Sequence, residues 1–185
     1  RKGIEMSYLD EGPRDGEVVD RHYLGDSFIL QTHWRTPTGE AVVTEFMPQG
    51  GGRADLVRSV ECTSGRVVIE QELIMRFDYG RSTPWVRRVP ENGHDAVVAI
   101  SGPDALALHG PLLRPDGDRH VGEFELASGQ RATWSLTWFQ SWDAHPQPLD
   151  AAAALAATVE RWQGFADQIV ADQAAVRRSL LVLKA

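Results

Sequence analysis

The clearest periodic signal in the chain runs from Arg66 to Trp85. There Val67, Ile69, Leu73, Met75 and Phe77 fall on one side at a spacing of two, with Gln71 among them, while Val68, Glu70, Glu72, Ile74 and Arg76 fall on the other. Side chains of an extended backbone alternate between faces, so the pattern predicts a long strand, Arg66 to Phe77, buried mainly on one face. It ends in Asp78-Tyr79-Gly80-Arg81, a turn-forming break, and in Pro84-Trp85, where proline fixes its own φ and removes a backbone donor. The same grammar recurs on either side. Phe28, Leu30, Thr32 and Trp34 alternate with Ile29, Gln31, His33 and Arg35, and Val42, Thr44 and Phe46 share one face of the returning segment after Thr36-Pro37-Thr38-Gly39-Glu40. That predicts a hairpin. Leu56 to Cys62 and Arg66 to Phe77 predict a second one around Thr63-Ser64-Gly65, and Trp85 to Val89 with Ala96 to Ile100, Ala105 to His109, Val121 to Ala127 and Arg131 to Phe139 continue the series. Many strands joined by short Gly/Pro/Asn turns predict a mainly β fold, a large antiparallel β-sandwich. The Gly-rich, charged first twenty residues read as an irregular lead-in.

The pattern changes after Gln140. Residues 141–148, SWDAHPQP, read as a linker, and Asp150 stands where an N-cap belongs, ahead of an alanine-rich run. Leu155, Val159, Trp162, Ala166 and Ile169 are spaced four, three, four and three apart, which makes one stripe on a linker helix of about 20 residues. Val176, Leu180, Leu181, Val182 and Leu183 then cover most of the circumference of a terminal helix. A helix apolar all round belongs inside a protein body. The expectation is a piece of a larger polypeptide, with residues 1–140 as the sandwich (incomplete at its N-terminal side), 141–172 as linker and linker helix, and 173–185 as the start of a helical domain.

Composition narrows the function. A formal charge of -7, with the bases scattered singly or in pairs, argues against a nucleic-acid partner, which would need clustered Lys and Arg. No apolar run approaches the roughly 20 residues that cross a bilayer, so no membrane partner is expected. The single cysteine, Cys62, reads as a small buried hydrophobe and fits a reducing, cytoplasmic location. Histidines 22, 33, 94, 109, 120 and 145 show neither i, i+4 pairing nor a cysteine partner, so neither a metal site nor a cofactor is predicted.

Several segments in order carry a resemblance: Arg21 to Ser27, Val43 to Pro48, Leu56-Val57-Arg58, Arg76 to Arg81 with Pro84-Trp85, Gly102 to Leu106, and Val176 to Leu180. Together they resemble the N-terminal region of glycoside hydrolase family 15, the bacterial trehalase and glucoamylase type. The resemblance implies a β-sandwich, a linker helix and the first helix of an (α/α)6 barrel truncated in this chain. It implies an enzyme that hydrolyses an α-glucoside with inversion, using two carboxylates placed in barrel loops. Neither maps onto a residue here, so no catalytic residue is assigned. The implied partners are an α-glucoside bound through the barrel and the helical catalytic domain in cis, and a homo-oligomer is compatible with the chain.

Within the chain, Asp78, Tyr79, Arg81 and Trp85 are the candidates for the rim of a sugar site, because aromatic faces and hydrogen-bonding arms suit carbohydrate. The rival reading is a structural corner in which Trp85 packs and Asp78 pairs with Arg81. The Trp134, Leu136, Trp138 row reads as core. A function of another class, a stand-alone sandwich that binds carbohydrate or protein without catalysis, fits the same strands but not the terminal helix.

Overall fold

The computed structural model describes residues 9–50, 52–91, 94–171 and 173–185. The fold is mainly antiparallel β-sheet followed by two helices. Of the expected lead-in, residues 1–8 lie outside the described residues, and the rest is not irregular. It forms β1 (Leu9–Pro13) and β2 (Glu17–Tyr23). Neither strand has the alternation that sequence reading needs, since β2 is exposed along its whole length at the edge of the sheet. Backbone pairing to its neighbour, which any extended residue can supply, holds it in place.

The expected hairpin of β3 (Leu30–Arg35) and β4 (Gly39–Phe46) is present, with Trp34 opposite Ala41. The next one is not. Residues Ala54–Leu73 form a single strand of 20 residues, β5, instead of turning back at Thr63-Ser64-Gly65. Its first part pairs with β4 on one side, Phe46 opposite Val57, and its second part pairs with β1, Leu9 opposite Leu73. Beyond Leu73 come β6 (Trp85–Glu91), β7 (His94–Ser101), β8 (Asp104–His109), the short β9 (Arg114–Asp116), β10 (Arg119–Ala127) and β11 (Arg131–Gln140). The strand order is β2-β3-β4-β5-β11-β8-β7-β6, with β1 and β10 on the second part of β5 and β9 beside β10. The expected Asn92-Gly93 turn lies outside the described residues.

One apolar cluster joins Val43, Val60, Trp134 and Leu136 to Val67, Ile69, Leu73 and Leu126, so both parts of β5 feed the same interior. The Trp134, Leu136, Trp138 row is core, as read from its period. Trp134 donates its indole N–H to the Pro111 carbonyl at 3.0 Å, and Trp138 donates to Asp104 Oδ1 at 3.0 Å. Gln71, the polar member of the apolar row, is buried with its neighbours. Cys62 is fully buried and burial pushes its thiol pKa up, which leaves it a packing residue.

The opposite face of the sheet is covered by helix. α1 (Ala151–Ala166) is shorter than the expected 20 residues, and Asp150 caps it by accepting from the Ala153 N–H at 3.0 Å. Its stripe, Leu155, Thr158, Val159, Trp162, Phe165 and Ala166, lies over Ile29, Phe46 and Val57, and Ile169 just beyond the helix is buried with it. Burying each large apolar side chain of that stripe contributes roughly 1.5–3 kcal/mol. Gly164 faces open space, with nothing near the position of an added Cβ. Gly164→Ala is therefore expected to stabilise the protein by about 0.5–1 kcal/mol, read as a rise in the midpoint of urea unfolding.

α2 (Ala174–Lys184) returns along the same region. Only one of its large apolar residues, Leu181, is buried; Leu180 is 38% exposed, Val182 56% and Leu183 83%. Two arginines hold the helix. Arg177 donates to Asp26 at 2.6 Å and to the Ile169 carbonyl at 3.1 Å, while Arg178 donates to the Ser27 carbonyl at 2.8 Å and lies 4.0 Å from the Tyr23 ring centroid. The segments Arg21 to Ser27 and Val176 to Leu180, far apart in sequence, thus meet in space.

Candidate functional site

The loop after the long strand is built by its backbone. Phe77 and Ser82 exchange hydrogen bonds, N–H to carbonyl, at 2.9 and 3.0 Å, and close a four-residue excursion. Inside it Asp78 (φ 51°), Tyr79 (φ 56°) and Gly80 (φ 79°) are all left-handed. For residues bearing a Cβ this region costs about 1–2 kcal/mol each, so Asp78 and Tyr79 are held there by the closure around them. The result is that Tyr79 projects outward, 59% exposed.

The structural-corner reading holds only in part. The Arg81 N–H donates to the Asp78 carbonyl at 3.2 Å, but no ion pair joins the two side chains among the described residues. Trp85 does not pack inside. It is 63% exposed, with the Arg87 guanidinium 5.3 Å from its ring centroid. Trp85 lines a cleft of about 280 Å³ together with Met75, Arg76, Pro84, Asp118 and His120. Asp78, Tyr79 and Arg81 stand on the loop tip and are not among the residues of that cleft. The four sequence candidates therefore divide into a wall residue, Trp85, and a projecting tip.

The cleft draws its other side from Arg76, Asp118 and His120, none of them among the sequence candidates for the rim. Arg76 pairs with Asp118 and also donates to the Met75 carbonyl at 2.9 Å, which fixes its guanidinium at the floor. Asp118 arrives from the β9–β10 turn and His120 from the start of β10, so only the Gly117 turn signal hinted at their placement. Desolvation by burial, helped by the nearby Arg88 charge, holds the His120 imidazole below its ordinary pKa. Near neutrality it is uncharged and can both donate and accept a hydrogen bond. The folded state resists protonating this ring while the unfolded chain takes the proton readily. Stability is thus expected to fall as pH drops below about 6.5. His120→Gln should flatten that acid limb, as read from thermal melts between pH 5 and pH 7.5.

An exposed indole carrying a guanidinium, beside a neutral imidazole and an anchored Arg–Asp pair, offers one apolar face and several hydrogen-bonding groups at close range. That arrangement can hold a polar ring by stacking and hydrogen bonding. None of these groups forms the pair of facing carboxylates that hydrolysis of a glycosidic bond requires. In class, the protein is a mainly β chain with two C-terminal helices and an aromatic, polar cleft.

No family profile matches the chain. It is 28% identical over 201 aligned positions to a trehalase of Mycolicibacterium smegmatis (strain ATCC 700084 / mc(2)155), an alignment covering 89% of this chain and 29% of that protein. It is 26% identical over 170 positions to a trehalase of Mycobacterium tuberculosis (strain ATCC 25618 / H37Rv), covering 77% of this chain and 24% of that one. The chain spans less than a third of the length of both curated relatives. A solved structure described as "Putative kojibiose phosphorylase from human microbiome" superposes with a TM-score of 0.46 at 11% identity, over 97% of this chain and 28% of that chain. A likeness at that level carries nothing about activity. The two trehalase alignments support a relationship to glycoside hydrolases. Among the described residues no helix is long and apolar enough to cross a membrane.

Proposed function

We propose that this chain is the non-catalytic sandwich portion, with linker helix and first barrel helix, of an inverting α-glucoside hydrolase of glycoside hydrolase family 15 type. The substrate of the parent protein is trehalose first, with the glucoamylase or glucodextranase substrates second. The observation that carries the reading is the alignment to two trehalases over most of this chain but less than a third of theirs. The open face of α2 supports it. Leu180, Val182 and Leu183 lie outward where a helical body would cover them, and burying them would contribute roughly 1.5–3 kcal/mol each.

In this reading the chain braces the barrel, and the loop from Asp78 to Trp85 reaches its rim. Catalysis belongs to carboxylates outside residues 1–185, and the protein works in the cytoplasm without a cofactor supplied by this chain. The test is glucose release by the polypeptide that carries the chain, assayed on trehalose and on maltose. Trehalose is expected to be cleaved faster, and cleavage of neither sugar would remove the reading. In the same assay Trp85→Ala is expected to raise KM by about tenfold, the loss of roughly 1.4 kcal/mol of stacking, with kcat little changed. A stand-alone binding module would instead bind sugar as the isolated chain and hydrolyse none.

A further inference from the structure

The structure brings together three side chains from two neighbouring strands, Asp20 and His22 of β2 and His33 of β3. On an extended strand, residues two apart share a face, which puts Asp20 and His22 of β2 side by side. A register shift between Val18 and Asp20 sets the phase of that face. Across the ladder His33 of β3 stands directly opposite Asp20, and residues paired in register point to the same side of a sheet. One potential ligand atom from each of Asp20, His22 and His33 lies within 4.8 Å of the other two.

Their present contacts do not use up this arrangement. The His22 Nδ1 and Asp20 Oδ2 are 2.7 Å apart, and this hydrogen bond to His22 is the leading reason the Asp20 carboxyl lies below its ordinary pKa. The His22 and His33 rings stack with centroids 5.5 Å apart and planes 27° from parallel. Stacking does not engage the Nε2 of His33. Its Nε2 is buried and meets no hydrogen-bonding partner. A buried ring nitrogen of that kind is costly unless something bonds it. The guanidinium of Arg35, two residues along β3, is engaged by Glu40 at 3.0 Å, so it does not neutralise the cluster.

We infer that Asp20, His22 and His33 form a binding site for a divalent transition-metal ion of the zinc class. Two imidazoles and one carboxylate are the donors that such ions prefer, whereas magnesium and calcium take oxygen ligands. A tetrahedral ion with bonds of about 2.0–2.1 Å needs donors roughly 3.4 Å apart. The three donors now lie within 4.8 Å of one another, so binding would close the remaining distance through side-chain rotation about a fixed backbone ladder. With three protein ligands, a coordination position stays open to water, as in an exposed site. The ion would tie the exposed edge strand β2 to β3, close to the loop in which Asp26 and Ser27 receive Arg177 and Arg178. The site is independent of the proposed hydrolase function, and its failure would leave that proposal standing.

The experiment is calorimetric titration of the tag-free chain with zinc ion, followed by cobalt substitution to read the coordination from visible absorption. One saturable site per chain is expected, with His22→Ala, His33→Ala and Asp20→Asn each weakening it by about tenfold or more. His120→Gln, far from the cluster in sequence and lining a different cleft, is expected to leave it unchanged. Metal-free melts of every variant establish that it folds. Should His33→Ala fail to fold, the near-isosteric Asp20→Asn carries the decision. Absence of saturable binding, or binding that the cluster substitutions leave intact, overturns the inference.

Discussion

Gly65→Ala is expected to destabilise the protein by more than about 3 kcal/mol, well beyond the ordinary effect of adding one methyl group. Gly65 is left-handed at φ 66°, and a Cβ built there would lie 2.2 Å from the Thr38 carbonyl oxygen and 2.9 Å from Gly39 Cα. Both obstacles are backbone atoms and cannot swing aside. The same strand pair is bound at this point by the Arg66 N–H donating to Thr38 at 3.0 Å, so relief would require breaking the ladder. Gly129 is the control, because it is also left-handed, at φ 83°, but has nothing near its added Cβ. Gly129→Ala should cost only about 1–2 kcal/mol. Chemical denaturation of the two variants separates the close approach from backbone preference, and equal costs would show that the approach is not limiting.

Arg53→Ala should cost about 3 kcal/mol, toward the lower end of the range for breaking a buried ion pair, because Arg53 is itself 34% exposed. Asp55, 2% exposed, accepts from Arg53 at 3.0 and 2.9 Å and from the Thr137 hydroxyl at 2.6 Å. Removing the guanidinium leaves the buried Asp55 carboxylate held by the Thr137 hydroxyl. It also frees the linker, whose Gln147 carbonyl accepts from Arg53 at 2.9 Å. The test is a double-mutant cycle. Arg53→Ala with Asp55→Asn should recover part of the loss, since the stranded charge is then gone. A single-variant cost under about 1 kcal/mol would mean that the pair is solvated in solution.

These two sites show what the sequence could and could not convey. The β3–β4 hairpin and the tryptophan row of β11 were legible because alternation and turn chemistry agree there. Gly65 misled, since Thr63-Ser64-Gly65 has the composition of a turn. The glycine is needed because β5 runs past Gly39 at close quarters and continues. β1 and β2 were missed because Asp10-Glu11-Gly12-Pro13 and an all-exposed edge carry no period to read, and their order comes from pairing. The terminal helix carries the expected apolar residues over much of its circumference, but Arg177, Arg178 and Lys184 interrupt them, and of its large apolar residues Leu181 alone is buried. In the cleft, Trp85 was visible as an aromatic after a proline. Asp118 and His120 were not, because they approach from the β9–β10 turn and the start of β10, and no local pattern reports such an approach. The Asp20, His22, His33 cluster has no helical spacing; it is a strand-period Asp-x-His opposite a histidine, and only the pairing of β2 with β3 brings it together.

The proposed function is a division of labour in which this chain supports chemistry performed elsewhere in a larger protein. Glucose release from trehalose, measured side by side for residues 1–185 alone and for the polypeptide that carries them, addresses that division directly. None is expected from the first and steady turnover from the second. Glucose produced by the chain alone, or none from either, would contradict it.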